Sequence, residues 1–329
     1  MAYLAQYSKK MNDNGYILGI DTSNYKTSVA VTDRNNNIIC DFRRFLKVKR
    51  GDRGLRQSDA LFQHIKNLPE LMQNVRDVFD GSFSAVSYSD RPRPAEGSYM
   101  PVFLAGESLG KSLASAMNIP CFSFSHQEGH IEAIKTYSSM SSMVNFLACH
   151  FSGGTCELLN VAAEGSGYSI KIIGGTRDIS LGQVIDRAGV AMGMEFPAGE
   201  EMDRAAIAAA GETSVLTPVK VKDGWFNLSG IDTQIKRILS QSSKAEPEFI
   251  REIFVRLSDS VSEMLIQGAQ MTGINDILMA GGVSSSTFMR ETVTGELEKK
   301  HINAVFDDNN LSQDNAVGTA LLGGRQLWH

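Results

Sequence analysis

The chain has 329 residues, 42% hydrophobic and 21% charged, the proportions of an ordinary globular protein with material for two cores. Its formal net charge of -5 excludes a global polycationic nucleic-acid surface and leaves room only for a local basic patch. Four cysteines, Cys40, Cys121, Cys149 and Cys156, form no CxxC pair, which excludes a zinc ribbon or thioredoxin motif and fits a reducing cytosol.

Residues 1–15 are polar and read as a loosely held arm. They lack an apolar h-region, so no secretory signal is expected. No apolar run reaches the roughly 18 residues a membrane span needs. Three strands follow, YILGIDTS (16–23), YKTSVAVTD (25–33) and NIICDFRRF (37–45), the last two joined by a DRNNN turn. A helical pattern runs from Asp59 to Val78, then a short strand at 84–90, a helix from Met100 to Met117 and a strand at 119–124.

That strand leads into SHQEGHIEAI, residues 125–134, which reads as a helix. Positions i and i+4 share a helix face, so His126 and His130 project together. They are either half-exposed polar residues or two ligands of one metal ion. The zinc-protease pattern HExxH places a glutamate beside the metal as general base. Here Glu128 stands two positions from each histidine, on roughly the opposite face, which excludes that enzyme class.

The second half repeats the opening. VNFLACHFSGG (144–154), TCELLNVAAE (155–164) and YSIKIIGG (168–175) are again three strands, followed by helices, the strand DILMAGG (276–282) and a final segment, 311–327, that starts like a helix. The expected division is an arm (1–15), a first lobe with the histidine helix (16–143), a second lobe (144–310) and a C-terminal helix (311–329) closing onto a cleft. Two such α/β lobes with an internally duplicated core describe the actin, hexokinase and heat-shock ATPase architecture. Glycine-rich turns there face a nucleotide, and three turns hold matching places: Asp21-Thr22-Ser23-Asn24, Ser152-Gly153-Gly154-Thr155 and Gly281-Gly282-Val283-Ser284. Backbone amides at such turns bind phosphate. The same architecture brings Asp314, in SQDNAVG at the expected start of the last helix, toward the histidines. Two histidines and a carboxylate leave open positions for substrate, the catalytic pattern of zinc or iron.

Together ILGIDTS, SHQEGH, FSGG, GQVIDRAGVAMGMEFPAGEEMD, AGGV and QDNA, in this order, resemble the TsaD family. These are the tRNA threonylcarbamoyladenosine synthases, formerly described as M22 glycoproteases, and the resemblance implies a transferase and not a protease. The match runs from Ile17 to Leu322. The resemblance implies one divalent metal, iron or zinc, on His126, His130 and Asp314. It implies that His150, Phe151, Ser152, Gly153 and Gly154, with Asp186, Gly199 and Asp203, contact a threonylcarbamoyl-adenylate or other adenine nucleotide. Its implied reaction is transfer of the threonylcarbamoyl group to a tRNA adenosine in the cytoplasm. It also implies pairing of the first lobe in a homodimer, or in a heterodimer with a TsaB-like protein.

The sequence departs from the family at several places. The usual first turn, Thr-Ser-Cys-Asp-Glu-Thr, is Thr22-Ser23-Asn24-Tyr25-Lys26-Thr27, so two acids give way to tyrosine and lysine where Thr22, Ser23 and Lys26 face substrate. The Gly-Pro-Gly loop is Arg91-Pro92-Arg93-Pro94. Ser-Gly-Gly-His-Thr becomes Ser152-Gly153-Gly154-Thr155-Cys156, and an asparagine that contacts nucleotide becomes Ser286. These changes describe a divergent paralogue. Its alternatives are the synthase itself, a transferase with another acceptor, a non-catalytic nucleotide-binding partner of the synthase, and a sugar or acetate kinase of the same fold. A kinase has no use for the paired histidines.

Overall fold

A computed structural model describes residues 15–23, 25–48, 55–151, 155–241, 246–281, 284, 286–307 and 311–329. All of the expected N-terminal arm except Gly15 lies outside them. In chain order the elements are β1 (Tyr16–Asp21), β2 (Lys26–Asp33), β3 (Ile38–Phe45), α1 (Gln57–Val78), β4 (Phe83–Arg91), α2 (Leu104–Met117), β5 (Cys121–Ser125) and α3 (His126–Thr136). Next come β6 (Asn145–Phe151), β7 (Cys156–Glu164), β8 (Gly167–Thr176), α4 (Leu181–Ala191), α5 (Gly199–Ala208), β9 (Trp225–Phe226), α6 (Ser229–Gln241) and α7 (Pro247–Thr272). The chain closes with β10 (Asp276–Ala280), α8 (Thr287–Glu298), β11 (Asn303–Phe306) and α9 (Val317–Trp328).

The described residues form two sheets, ordered β3-β2-β1-β4-β5 and β11-β10-β6-β7-β8-β9. Read from β8 to β11, the second repeats the first. In each, the opening strand pairs antiparallel with the strand after it and parallel with a later one, and that later strand has another parallel partner on its far side. The duplicated core is thus a duplicated topology, with β9 added at one edge.

Two compact units carry these sheets. One comprises the residues up to Tyr137 with Ala163–Ser169 and Gln313–His329; the other comprises Ser138–Ala162 and Ile170–Ser312. In the first unit β1 is central, between antiparallel β2 and parallel β4, and it is buried on both faces because helices cover each side of the sheet. Leu18 and Ile20 pack with Leu68, Leu71 and Val75 of α1. Ile17, on the opposite face, packs with Ala85 and Ala320 beside Trp328. The second unit is built around Leu147, Cys149 and Phe151 of β6, Leu158 of β7 and the apolar face of α7, including Val261 and Leu265.

Two expected helices begin late. Residues 101–103 form a 3-10 turn ahead of α2. The last helix begins at Val317, not at 311. Asn315 Oδ1 accepts the amides of Val317 (2.9 Å) and Gly318 (3.3 Å), so this side chain satisfies first-turn donors and holds the preceding residues out of the helix. Asp314 therefore sits on the segment leading into α9.

Candidate metal centre and its surroundings

The site in the first unit begins with a helix cap. Ser125 ends β5 and caps α3: its hydroxyl accepts the Glu128 amide, and Glu128 returns a carboxylate oxygen to the Ser125 amide at 2.8 Å. This reciprocal pair fixes where α3 starts. It also occupies Glu128, the residue that a protease reading would have needed as base.

The cap makes His126 the first residue of α3 and His130 its neighbour one turn on. Their Nε2 atoms lie 3.0 Å apart, with the rings edge to face and their centroids 4.4 Å apart. Asp314 Oδ1 is 3.2 Å from His130 Nε2 and 3.5 Å from His126 Nε2. Two glycines allow this meeting. A Cβ at Gly318 of α9 would fall 1.8 Å from the Gly129 carbonyl oxygen of α3, so the helices touch backbone to backbone. Metal ligands about 2.0–2.1 Å from a common ion stand roughly 3.0–3.4 Å from one another. These three side chains fit that requirement, in donor type and in spacing. Among the described residues they form the cluster suited to hold a metal.

A fourth residue, which the sequence offered only as part of a nucleotide-facing turn, completes the arrangement. Asp21, at the end of β1, has Oδ2 2.8 Å from His126 Nδ1 and accepts the Ser23 amide on Oδ1 at 3.0 Å. A carboxylate on the far nitrogen orients a ligating imidazole and leaves its other nitrogen for the metal. Burial by itself depresses the His126 pKa, but Asp21 and Asp314 outweigh it and hold the group at about 10. His130 moves the other way, lowered by burial and by the charge on His126. Both carboxyls lie below their usual range despite burial, because the histidines stabilise the anions.

Thr22 is fully buried and its hydroxyl is committed, donating to the Val102 carbonyl (3.0 Å) and accepting from the Gly106 amide (3.2 Å). It anchors the first turn to α2. Ser23 is buried as well. Lys26 opens β2, and its ammonium donates to Gln313 Oε1, on the residue before Asp314. Arg91 is paired with Asp90 at 2.5 Å and lies 3.9 Å from Glu128.

The remaining expected residues belong to the second unit. His150 and Phe151 end β6, with the Phe151 side chain in the core. Gly281 follows the neighbouring strand β10 at φ +93°, and a Cβ there would fall 2.0 Å from the Phe151 carbonyl oxygen. Only glycine fits that approach. Asp186 on α4 accepts the Ala198 amide at 2.9 Å, and burial raises its pKa. Gly199 opens α5, with open space where a Cβ would stand. Asp203 and Ser286 are brought together: the carboxylate accepts the Ser286 hydroxyl (2.5 Å) and the amides of Thr287 (3.0 Å) and Phe288 (3.2 Å). It thereby caps α8. Ser152, Gly153, Gly154 and Gly282 lie outside the described residues.

The paired sheets define an α/β protein of the actin, hexokinase and heat-shock ATPase class. Solved structures agree on that fold. Full-length HypF in its phosphate- and nucleotide-bound form aligns with a TM-score of 0.62 at 13% identity, over 98% of this chain and 47% of that one. The activator of 2-hydroxyisocaproyl-CoA dehydratase from Clostridium difficile, with bound ADPNP, aligns at 0.56 and 12%, over 95% of each chain. Residues 53–321 match the family model of TsaD, tRNA N6-adenosine threonylcarbamoyltransferase, and the chain belongs to that family. Proteins of that name from Neorickettsia sennetsu and Thermotoga neapolitana are 25% and 26% identical to it. The first alignment covers 93% of this chain and 92% of the relative, the second 93% of each.

Proposed function

We propose that the protein transfers a threonylcarbamoyl group from an adenylate to the N6 amine of an adenosine in tRNA, with one divalent ion, iron or zinc, held by His126, His130 and Asp314. The observation that carries this reading is the convergence of those three side chains, backed by Asp21. In the reaction the amine lone pair forms a bond to the carbamoyl carbon. The bond from that carbon to the phosphate oxygen breaks, AMP leaves with the electron pair, and the amine loses a proton. The bound metal supplies Lewis acidity toward the donor's oxygens. His126 and His130 present nitrogen lone pairs and Asp314 an anionic oxygen, while Asp21 fixes the orientation of the His126 ring. The adenine nucleotide is assigned, in the same proposal, to His150, Asp186, Gly199 and Gly281 of the second unit.

A second reading keeps the chemistry and changes the acceptor, as in a divergent paralogue. It is favoured by Lys26, a buried cation beside Gln313 and Asp314. One experiment separates the two. Purified protein is incubated with tRNA and threonylcarbamoyl-adenylate, and the nucleosides are read by mass spectrometry, with the Neorickettsia relative as positive control and His126→Ala as negative. Threonylcarbamoyladenosine made by the wild type and lost in the variant supports the first reading. Activity of the relative alone removes tRNA as acceptor and leaves the second.

A further inference from the structure

Lys26 is 5% exposed, and a buried ammonium is costly unless its charge is met. It has three protons to donate. Its direct contacts among the described residues are a neutral amide, Gln313 Oε1 at 2.5 Å, and the face of Phe45, whose centroid is 4.3 Å away. Neither carries a negative charge. The two acids whose charge reaches it, Asp314 and Asp41, are shared with other cations: Asp41 is paired with Arg43 at 2.5 Å, and Asp314 is engaged with the histidines. The region is reachable from solvent, because Phe45 is 68% exposed and the Asp314 side chain 28%. A cation held at such a place, next to a cluster that leaves substrate positions open, is matched by an anion that arrives with the substrate.

We propose that Lys26 is the oxyanion-binding residue of this site: it receives one carboxylate or phosphate of a substrate seated at His126, His130 and Asp314, and so selects for an anionic substrate. The inference rests on the transferase reading only in placing a substrate at that cluster. Gln313 acts as the positioning residue: its Oε1 accepts a hydrogen bond from one ammonium N–H and leaves the others directed to the ligand.

Calorimetric titrations of the full-length protein test this with two pairs of probes. AMP against adenosine isolates a phosphate. N-carbamoyl-threonine against its methyl ester isolates a carboxylate. The wild type is expected to prefer the charged member of one pair by about tenfold or more, the size of one hydrogen bond to a charged group. Lys26→Met loses that preference and Lys26→Arg keeps it; the pair that responds identifies the oxyanion. Thermal melts accompany each variant, and Lys26→Gln replaces the methionine variant if the latter does not fold. An unchanged preference without the lysine overturns the inference, and so does a wild type with no preference in either pair. Loss of preference in Lys26→Met, with no transfer to tRNA by the wild type, supports the inference and removes tRNA as the acceptor.

Discussion

Replacing Gly318 with alanine tests the link between packing and the candidate metal centre. The new Cβ would stand 1.8 Å from the Gly129 oxygen, 2.6 Å from its carbonyl carbon and 2.9 Å from the Ala133 nitrogen. All three are backbone atoms of α3, so no side chain can swing aside. Carbon contacts are comfortable near ~3.5 Å, so the helices must part by roughly 1.5 Å. Overpacking of this kind costs about 1–3 kcal/mol, and a backbone clash belongs at the upper end. Asp314 lies four residues ahead of Gly318 and moves with it. A metal site tolerates distance errors of about 0.2 Å, so a shift of that size breaks the cluster. The assay is a denaturant melt together with elemental analysis of the purified protein. Gly318→Ala should lose about 2–3 kcal/mol and most of its zinc or iron. Gly295→Ala in α8 is the control: nothing lies within 4 Å of its Cβ position, and it should gain about 0.5–1 kcal/mol. A Gly318→Ala protein with the stability and metal content of the wild type would refute the reasoning.

Three other outcomes are expected. Asp21→Asn should keep the fold and weaken metal binding about 10- to 100-fold; unchanged affinity in a chelator competition would show that Asp21 does not orient His126. Asp203→Ala removes the acceptor of one hydroxyl and two amides at the start of α8 and should cost about 1–3 kcal/mol; a variant that loses AMP binding at unaltered stability contradicts the capping role. His64 is fully buried and its Nδ1 lies 2.9 Å from the Thr27 hydroxyl, which accepts from Asn67. Burial lowers its pKa to about 4. Above about pH 6.5 it is neutral folded or unfolded and its contribution is complete. As pH falls from 6.5 toward 4 only the unfolded chain takes up the proton, and up to about 3 kcal/mol is lost. His64→Gln should show a shallower fall across that window; parallel stability curves for variant and wild type would exclude His64 as the source.

The parts of this architecture governed by local pattern could be read from the sequence. The two strand triplets announced themselves through apolar runs separated by turn residues, and the histidine pair through its i, i+4 spacing. The late start of α9 was hidden because Asn315 reads equally well as a helical residue or as a cap, and only the path of the backbone decides. Asp21 was visible as an acid at a strand end, but its contact with His126 spans 105 positions and no local pattern encodes such a pairing. Gln313 as the partner of Lys26 was hidden for the same reason. Asp203 and Ser286 showed the opposite difficulty. Their residue types suit ribose and phosphate contacts, and the same chemistry equally suits capping a helix.

The distance along the chain between His130 and Asp314 bears on how the protein is made. The two are 184 residues apart. At about 5–20 residues per second, a ribosome needs roughly 10 to 40 seconds to travel between them. During that interval the histidines exist without their carboxylate, and α3 without the glycine face of α9. An incoming metal ion then meets two imidazoles at most. On the proposed metal-binding reading, loading follows release of the chain, and a C-terminal truncation ahead of Gln313 would yield a first unit unable to complete the cluster at any later time.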